Sequence, residues 1–400
     1  VSAYDNAAFG SAIDIVEGAL GTVVHVGAPG KGGGDGQVFA YNLTYGLRKA
    51  WTAQTGLITA APPDGVSNSF TGGFGAEVVS REVGDLGVWA GMPGISWVGG
   101  LDPGNPFSDI IPGPETSRFG ADNAISAAGQ KLVIGGPGGY GSLSVYSTPV
   151  ASGGQAKPDL IFGGFYYDTA PSQLAMRPNI ANPALANEGF GVGGQYVSEG
   201  FVLAGTNDAT AYPNRIYNFR RRGPTFVPLR AADNTDVSTL MPALAPKAEA
   251  GSAVAIDGKL AVVGAPDYDN RGAVFVYAID AADNWTLEAM LQPFGLKNGD
   301  RFGASVSISG ERVIVGSPGW DHPLQGYDAG RVVMYERFSA ETGSVAWLQK
   351  SEFTGPSQYG KFGTDVDLFG TTAIASQPSG LDSQRKVSVY SADAQGEWAS

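Results

Sequence analysis

Two hydrophobic patterns alternate along this chain, and together they predict strands from end to end. The first is a small/apolar alternation, as in FGASVSISG over residues 302–310. A period of two sets one side of a strand against a core. The second is a short, nearly continuous apolar run, as at Leu260-Ala261-Val262-Val263 or Val313-Ile314-Val315. Runs of that length describe a strand buried on both faces. A tight turn such as Ser309-Gly310 or Asp257-Gly258 joins the two. A third segment alternates again and ends in tyrosine, at Tyr41, Tyr146, Tyr277, Tyr335 and Tyr390. A fourth opens at tryptophan, at Trp51, Trp285, Trp347 and Trp398. The unit is therefore four short strands, A to D.

The unit recurs seven times, and two glycine signatures mark it. Phe-Gly pairs open strand A at Phe9, Phe74, Phe119, Phe190, Phe302 and Phe362, with Ala250-Gly251 in the remaining place. Gly-Ala-Pro or a variant closes strand B at Gly27, Gly91, Gly135, Gly205, Gly264, Gly316 and Ser376. The phenylalanine is read as a wedge between neighbouring units. The glycine permits close strand approach, and proline ends the strand by removing a ladder donor. Repeats of short strands at this spacing predict a closed radial array. The expected fold is all-β, one seven-bladed β-propeller of four-stranded antiparallel blades spanning residues 1–400. Its repeats start near residues 9, 74, 119, 190, 251, 302 and 362. Helix is expected to be almost absent outside insertions, and the last blade, whose fourth strand opens only at Trp398, is expected to lack most of its outer strand here or to have it supplied by something else.

These segments, read as RFGASVSISGERVIVGSPG and KLAVVGAPDYDNRGAVFVY, resemble the FG-GAP repeat family. That family of β-propellers includes the integrin α-subunit head, and the similarity is greatest to bacterial and environmental variants with short hairpins. The resemblance runs through nearly all of the chain. Integrin-type members hold calcium in A–B hairpins rich in alternating carboxylates, a donor set suited to a hard cation. The hairpins here read SISGER, AIDGKL and DLFGTT and lack that set, so calcium is not carried over to them. No cofactor is expected to be required.

Composition narrows the partners. Glycine contributes 60 of 400 residues, about twice ordinary usage, which fits many tight turns. The net charge of −13 argues against nucleic acid and anionic membrane surfaces. Cysteine is absent, which excludes disulfides and thiol chemistry. No apolar run is long enough to span a membrane, so the chain is not expected to be membrane-embedded. No secretory leader is visible at Val1, and a mature or excised fragment is expected.

Candidate chemistry is sparse and falls on connections. Long D–A connections run from about 164 to 188 and from 231 to 249, another runs over 56–73, and a long B–C loop covers 319–329. In a four-stranded blade, B–C and D–A connections share one face, so that face is the expected binding face. Phe165, Tyr166, Tyr167 and Trp320 on these loops are candidate ligand contacts, since aromatics stack on sugars or bind protein partners. The alternative is that they pin their loops to the disc. Asp267, Asp269 and Asn270 are either turn formers or a calcium site, and Asp321 and Asp328 hold a similar place one blade later. Asn42 and Asn284 head Asn-x-Thr triplets, candidate glycosylation sites near C–D connections. Arg220-Arg221-Arg222, expected in a C–D turn, would fit an anionic group. His25 falls in a buried strand and His322 in a loop; no catalytic triad or metal motif is evident.

The expected function is a non-enzymatic binding or adhesion module, extracellular or at the cell surface, with a protein or glycan ligand. One alternative is a structural subunit that binds other copies of itself in a filament, sheath or appendage. The other is a catalytic propeller acting on polysaccharide.

Overall fold

The chain was analysed as a computed structural model. From 249 to 399 it describes every residue except 282–283, 341–342, 380–384 and 394–395. Before that it describes 9–12, 29–30, 36 and the strands named next.

Seven four-stranded antiparallel sheets are formed by the described residues, each in simple sequential order. The first holds β1 (Ile13–Gly18), β2 (Gly21–Ala28), β3 (Gln37–Thr44) and β4 (Ala50–Ala53). The second holds β5 (Val78–Ser80), β6 (Val88–Met92), β7 (Trp97–Asp102) and β8 (Asn105–Pro112). The third holds β9 (Ile125–Ala128), β10 (Lys131–Gly136), β11 (Ser142–Ser147) and β12 (Leu160–Phe162). A two-stranded hairpin, β13 (Tyr166–Tyr167) and β14 (Leu174–Ala175), follows it. The fourth holds β15 (Phe190–Val197), β16 (Phe201–Asp208), β17 (Tyr212–Arg222) and β18 (Thr225–Pro228). The fifth holds β19 (Val254–Asp257), β20 (Leu260–Ala265), β21 (Ala273–Ile279) and β22 (Trp285–Leu291). The sixth holds β23 (Ser305–Ser309), β24 (Arg312–Ser317), β25 (Arg331–Ser339) and β26 (Val345–Thr354). The seventh holds β27 (Val366–Phe369), β28 (Thr372–Gln377), β29 (Lys386–Ala392) and β30 (Trp398–Ala399).

The sheets are propeller-like blades packed face to face. First strands of successive sheets lie against one another, and β27 of the last lies against β1 of the first. The packing of strand B explains its nearly continuous apolar run. Val313 and Val315 of β24 point into a core shared with the fifth sheet, while Ile314 points into the core shared with the seventh. Alternation across a strand sends successive side chains to opposite faces, and here both faces are interior. The core is thus a series of layers between sheets.

The two glycine signatures are halves of one contact. The amide of Gly303 donates to the carbonyl of Gly316 at 2.9 Å, and Gly10 to Gly27, Gly251 to Gly264 and Gly363 to Ser376 repeat the bond. Gly303 takes φ +92°, a region that favours glycine. A Cβ on Gly316 would sit 2.1 Å from the carbonyl oxygen of Gly363 in the next sheet. One glycine therefore makes the turn and the other makes room for the neighbouring sheet. Phe302 and Phe362, fully buried, fill the junctions, each edge-on to a strand-C tyrosine (Tyr335 at 6.4 Å, Tyr390 at 6.5 Å).

Among the described residues, side chains tie the inner strands of the fifth to the sixth, the sixth to the seventh and the seventh to the first sheet. Asp257 accepts from the Gly310 amide (2.6 Å); Ser307 and Ser309 accept from Leu368 (3.2 Å) and Gly370 (3.0 Å). Asp365 and Asp367 accept from Ile13 (2.7 Å) and Ile15 (2.9 Å).

Three details differ from expectation. Arg220, Arg221 and Arg222 lie inside β17, paired with β18, and not in a turn. Strand β16 runs on through Gly205-Thr206-Asn207 to Asp208, because this triplet lacks the proline that would end the ladder. A 3-10 turn, Tyr268–Asn270, stands in the fifth sheet's B–C loop. The last outer strand, β30, is two residues long among the described residues.

Candidate functional site

The best described part of the loop face belongs to the fifth, sixth and seventh sheets. There the D–A connections 292–304 and 355–365 flank the B–C loop 318–330. These connections bring apolar side chains to the surface. Phe294 is fully exposed, Leu324 is 88% exposed, and Tyr327 and Tyr359 are also exposed. The amide of Tyr359 donates to the Tyr327 carbonyl at 2.8 Å, joining two of these loops.

Trp320 sits at the root of the B–C loop, and its setting is fixed from below. The Arg331 guanidinium lies 5.2 Å from its ring centroid, a cation–π contact. The His322 ring meets it edge-on at 5.4 Å. Arg331, which opens β25, is 2% exposed; it donates to Glu352 at 3.2 Å and faces buried Asp300 at 4.0 Å. Burial raises the Asp300 pKa above the usual carboxylate range, partly offset by the Lys297 amide bond and the Arg331 charge. Asp300 also organises the preceding connection: its carboxylate accepts from the Lys297 amide at 2.9 Å, and its carbonyl from the Ser317 hydroxyl at 2.8 Å.

His322 holds the loop tip. Its Nδ1 accepts from the amides of Leu324 and Gln325, both at 3.0 Å. An Nδ1 that accepts places the ring hydrogen of the neutral imidazole on Nε2. Asp321 accepts from the Asp328 amide at 3.0 Å, and Asp328 takes φ +48°. Both aspartates serve the turn.

Asp267, Asp269 and Asn270 occupy the neighbouring B–C loop. Asp269 pairs with Arg271, and Asp267 lies 3.7 Å from Arg301, which also holds Glu249 at 2.7 Å. Asp269 and Asn270 have φ of +51° and +57°, and the Asn270 carbonyl accepts from Gly299. Each of the two aspartates thus has an arginine as its neighbour. Among the described residues, no group of three or more His, Asp or Glu side chains is placed to hold a metal.

The remaining predicted positions are scattered. Tyr166 and Tyr167 form β13, while Phe165 lies outside the described residues. Asn42 lies within β3, opposite Val23 and Thr52. Asn284 precedes β22, and its side chain donates to Asp280 at 2.9 Å. The connection 231–248 and the stretch 56–73 lie outside the described residues. Phe294, Leu324, Tyr327 and Tyr359 were not singled out in the sequence, although the loop that carries Leu324 and Tyr327 was legible. The opposite face has an open cavity of about 440 Å³ beside the Asp257–Lys259 turn, Gly310 and Arg337. Arg337 is bound there bidentately by Glu288 (2.8 and 2.7 Å) and by Glu311 (3.0 Å), and the arginine hydrogen bond holds the Glu288 pKa down.

Comparison with known proteins agrees with this architecture. Residues 285–335 match the family model of the FG-GAP repeat. That span covers β22, then β23, β24 and the first half of β25, so the sequence repeat begins one strand before the sheet does. No curated protein matches the chain by sequence. A solved structure of a candidate 6-phosphogluconolactonase from Bacteroides uniformis shares the fold, with TM-score 0.58, 13% identity and 94% coverage of both chains. Virginiamycin B lyase from Staphylococcus aureus is similar at TM-score 0.50 and 10% identity, with 91% coverage of both chains. At such identities the likeness concerns the fold.

Proposed function

We propose that this chain, which carries an FG-GAP repeat, is one closed seven-bladed β-propeller serving as a non-enzymatic binding module, extracellular or at the cell surface. Closure is supported by the bonds from Asp365 and Asp367 back to Ile13 and Ile15. The observation that carries the binding reading is the set Phe294, Leu324, Tyr327 and Tyr359, exposed apolar groups on connections of the two kinds that share one face. Exposed apolar groups held on a rigid scaffold are typical of an interaction surface. Trp320, braced by Arg331, completes it. The ligand is a protein or a glycan. The carboxylates with raised pKa, Asp300 and Asp367, are engaged in structural hydrogen bonds, which favours binding over catalysis.

The test compares the wild type with Phe294→Ala/Leu324→Ala/Tyr359→Ala on a glycan array and against cell-surface protein extracts. Binding is expected to fall at least about tenfold, with unfolding unchanged, since loss of central apolar contacts costs 1–2 kcal/mol or more. Binding that survives these changes but fails on Lys259→Ala or Arg337→Ala would move the site to the opposite face.

A second reading, a structural subunit, draws on the rim. The neighbouring outer strands β22 and β26, with the end of β25, expose Leu287, Met290, Leu348 and Phe338. Concentration-dependent assembly, abolished by Leu287→Lys/Leu348→Lys, would favour it.

A further inference from the structure

The junction between the last and first sheets is chemically unlike the one before it. Between the sixth and seventh sheets, serine hydroxyls accept the inner-strand amides. Between the seventh and first, carboxylates do so: Asp365 for Ile13 at 2.7 Å and Asp367 for Ile15 at 2.9 Å. Asp14 stands on β1 between these two donors, directly opposite His25 in register and 3.7 Å from its Nδ1. Three carboxylates and a buried imidazole therefore meet at one seam. The packing is altered there as well. The triplet glycine of the other described sheets is Ser376 in the seventh, and its hydroxyl accepts from the Asp365 amide at 3.1 Å.

The other strands against β27 bring no compensating charge. β23 contributes Ser307, and β28 has no ionisable residue. Arg312 on β24 is held by Glu336 at 3.1 Å. Burial, and next the Asp14 charge, push the Asp367 pKa up to about 7.

We propose that this seam is a proton-operated latch, in which proton uptake by Asp367, two residues from Asp365 and facing β1 with its Asp14, tightens the junction of the last and first sheets and ionisation loosens it. The bonds allow it. Ionised Asp367 accepts from the Ile15 amide through Oδ2, and from the Leu368 amide and the Ser307 hydroxyl, both at 2.8 Å, through Oδ1. A proton from solvent, placed on Oδ1, is donated to Ser307 Oγ, whose own hydrogen rotates away. Oδ2 keeps the Ile15 amide. The bond to β1 survives, and the repulsion with Asp14 disappears. An acid whose pKa is higher in the folded state stabilises that state fully below its ordinary value, and the contribution is lost as pH rises through the shifted one. The latch is thus tight in mild acid and loose above neutrality.

Amide hydrogen exchange on the full chain at about pH 5.5 and about pH 8, corrected for intrinsic rates, tests this. Ile13 and Ile15 are expected to lose at least about tenfold protection at the higher pH, one pKa unit being a factor of ten. Val263 and Val315, inside the fifth and sixth sheets, are expected to hold theirs. Asp367→Asn is expected to erase the step. Equal protection of Ile13 and Ile15 at the two pH values would overturn the proposal, as would an Asp367→Asn protein that keeps the wild-type step. If that variant does not fold, Asp14→Asn must shrink the step, and an unchanged step overturns the proposal equally.

Discussion

Two Phe-Gly pairs eight positions apart show how much a side chain's role depends on its partner. Phe302 is fully buried, and the amide of the glycine after it closes onto Gly316. Phe294 is fully exposed, and a Cβ added to Gly295 would meet nothing within 4 Å. The sequence distinguishes them only through context, because Gly295 has no Gly-Ala-Pro partner at the repeat distance. Phe302→Ala is expected to lose about 3–5 kcal/mol in denaturant unfolding through the cavity it leaves. Phe294→Ala is expected to stay within about 0.5 kcal/mol of wild type. Equal stabilities would remove the wedge role assigned to the repeat phenylalanine. Arg331 and Asp300 were not legible at all. Each is an ordinary charged residue in its own segment, and only the packing of β25 against the preceding connection brings them to 4.0 Å under Trp320.

At the scale of elements, the strands were readable because the burial of each is written in its period. Strand B is nearly continuously apolar, and β24 shows why, with Val313, Ile314 and Val315 shared between two cores. Outer strands are less regular, and prolines such as Pro112 and Pro228 are tolerated there because only one edge is paired. Loops were readable in length but not in chemistry. The carboxylates at 267–270 fit a cation or a turn equally well as a sequence. The structure gives them Arg271 and Arg301, which come from two different connections. Thermal unfolding with and without a chelator is therefore expected to agree within about 2 °C, a difference of at most about 1–2 kcal/mol at this size. A clear drop with chelator would point to Asp267 and Asp269 as ligands after all.

At the scale of the molecule, stability is distributed over junctions between neighbouring sheets. Deleting residues 165–187 is expected to leave cooperative unfolding intact, because each sheet is held mainly by the next. Loss of the folded state on that deletion would show that the hairpin β13–β14 does more than decorate the face. The bonds between inner strands also have a direction. In each junction where they were identified, the earlier sheet lends a side-chain oxygen to an amide of the later one: Asp257 to Gly310, Ser307 to Leu368, Asp367 to Ile15. A molecule parted at the last junction would present bare amides on its first sheet and vacant acceptors on its seventh, in matching register. Two such molecules would be complementary head to tail, the heterologous kind of contact that continues from one copy to the next.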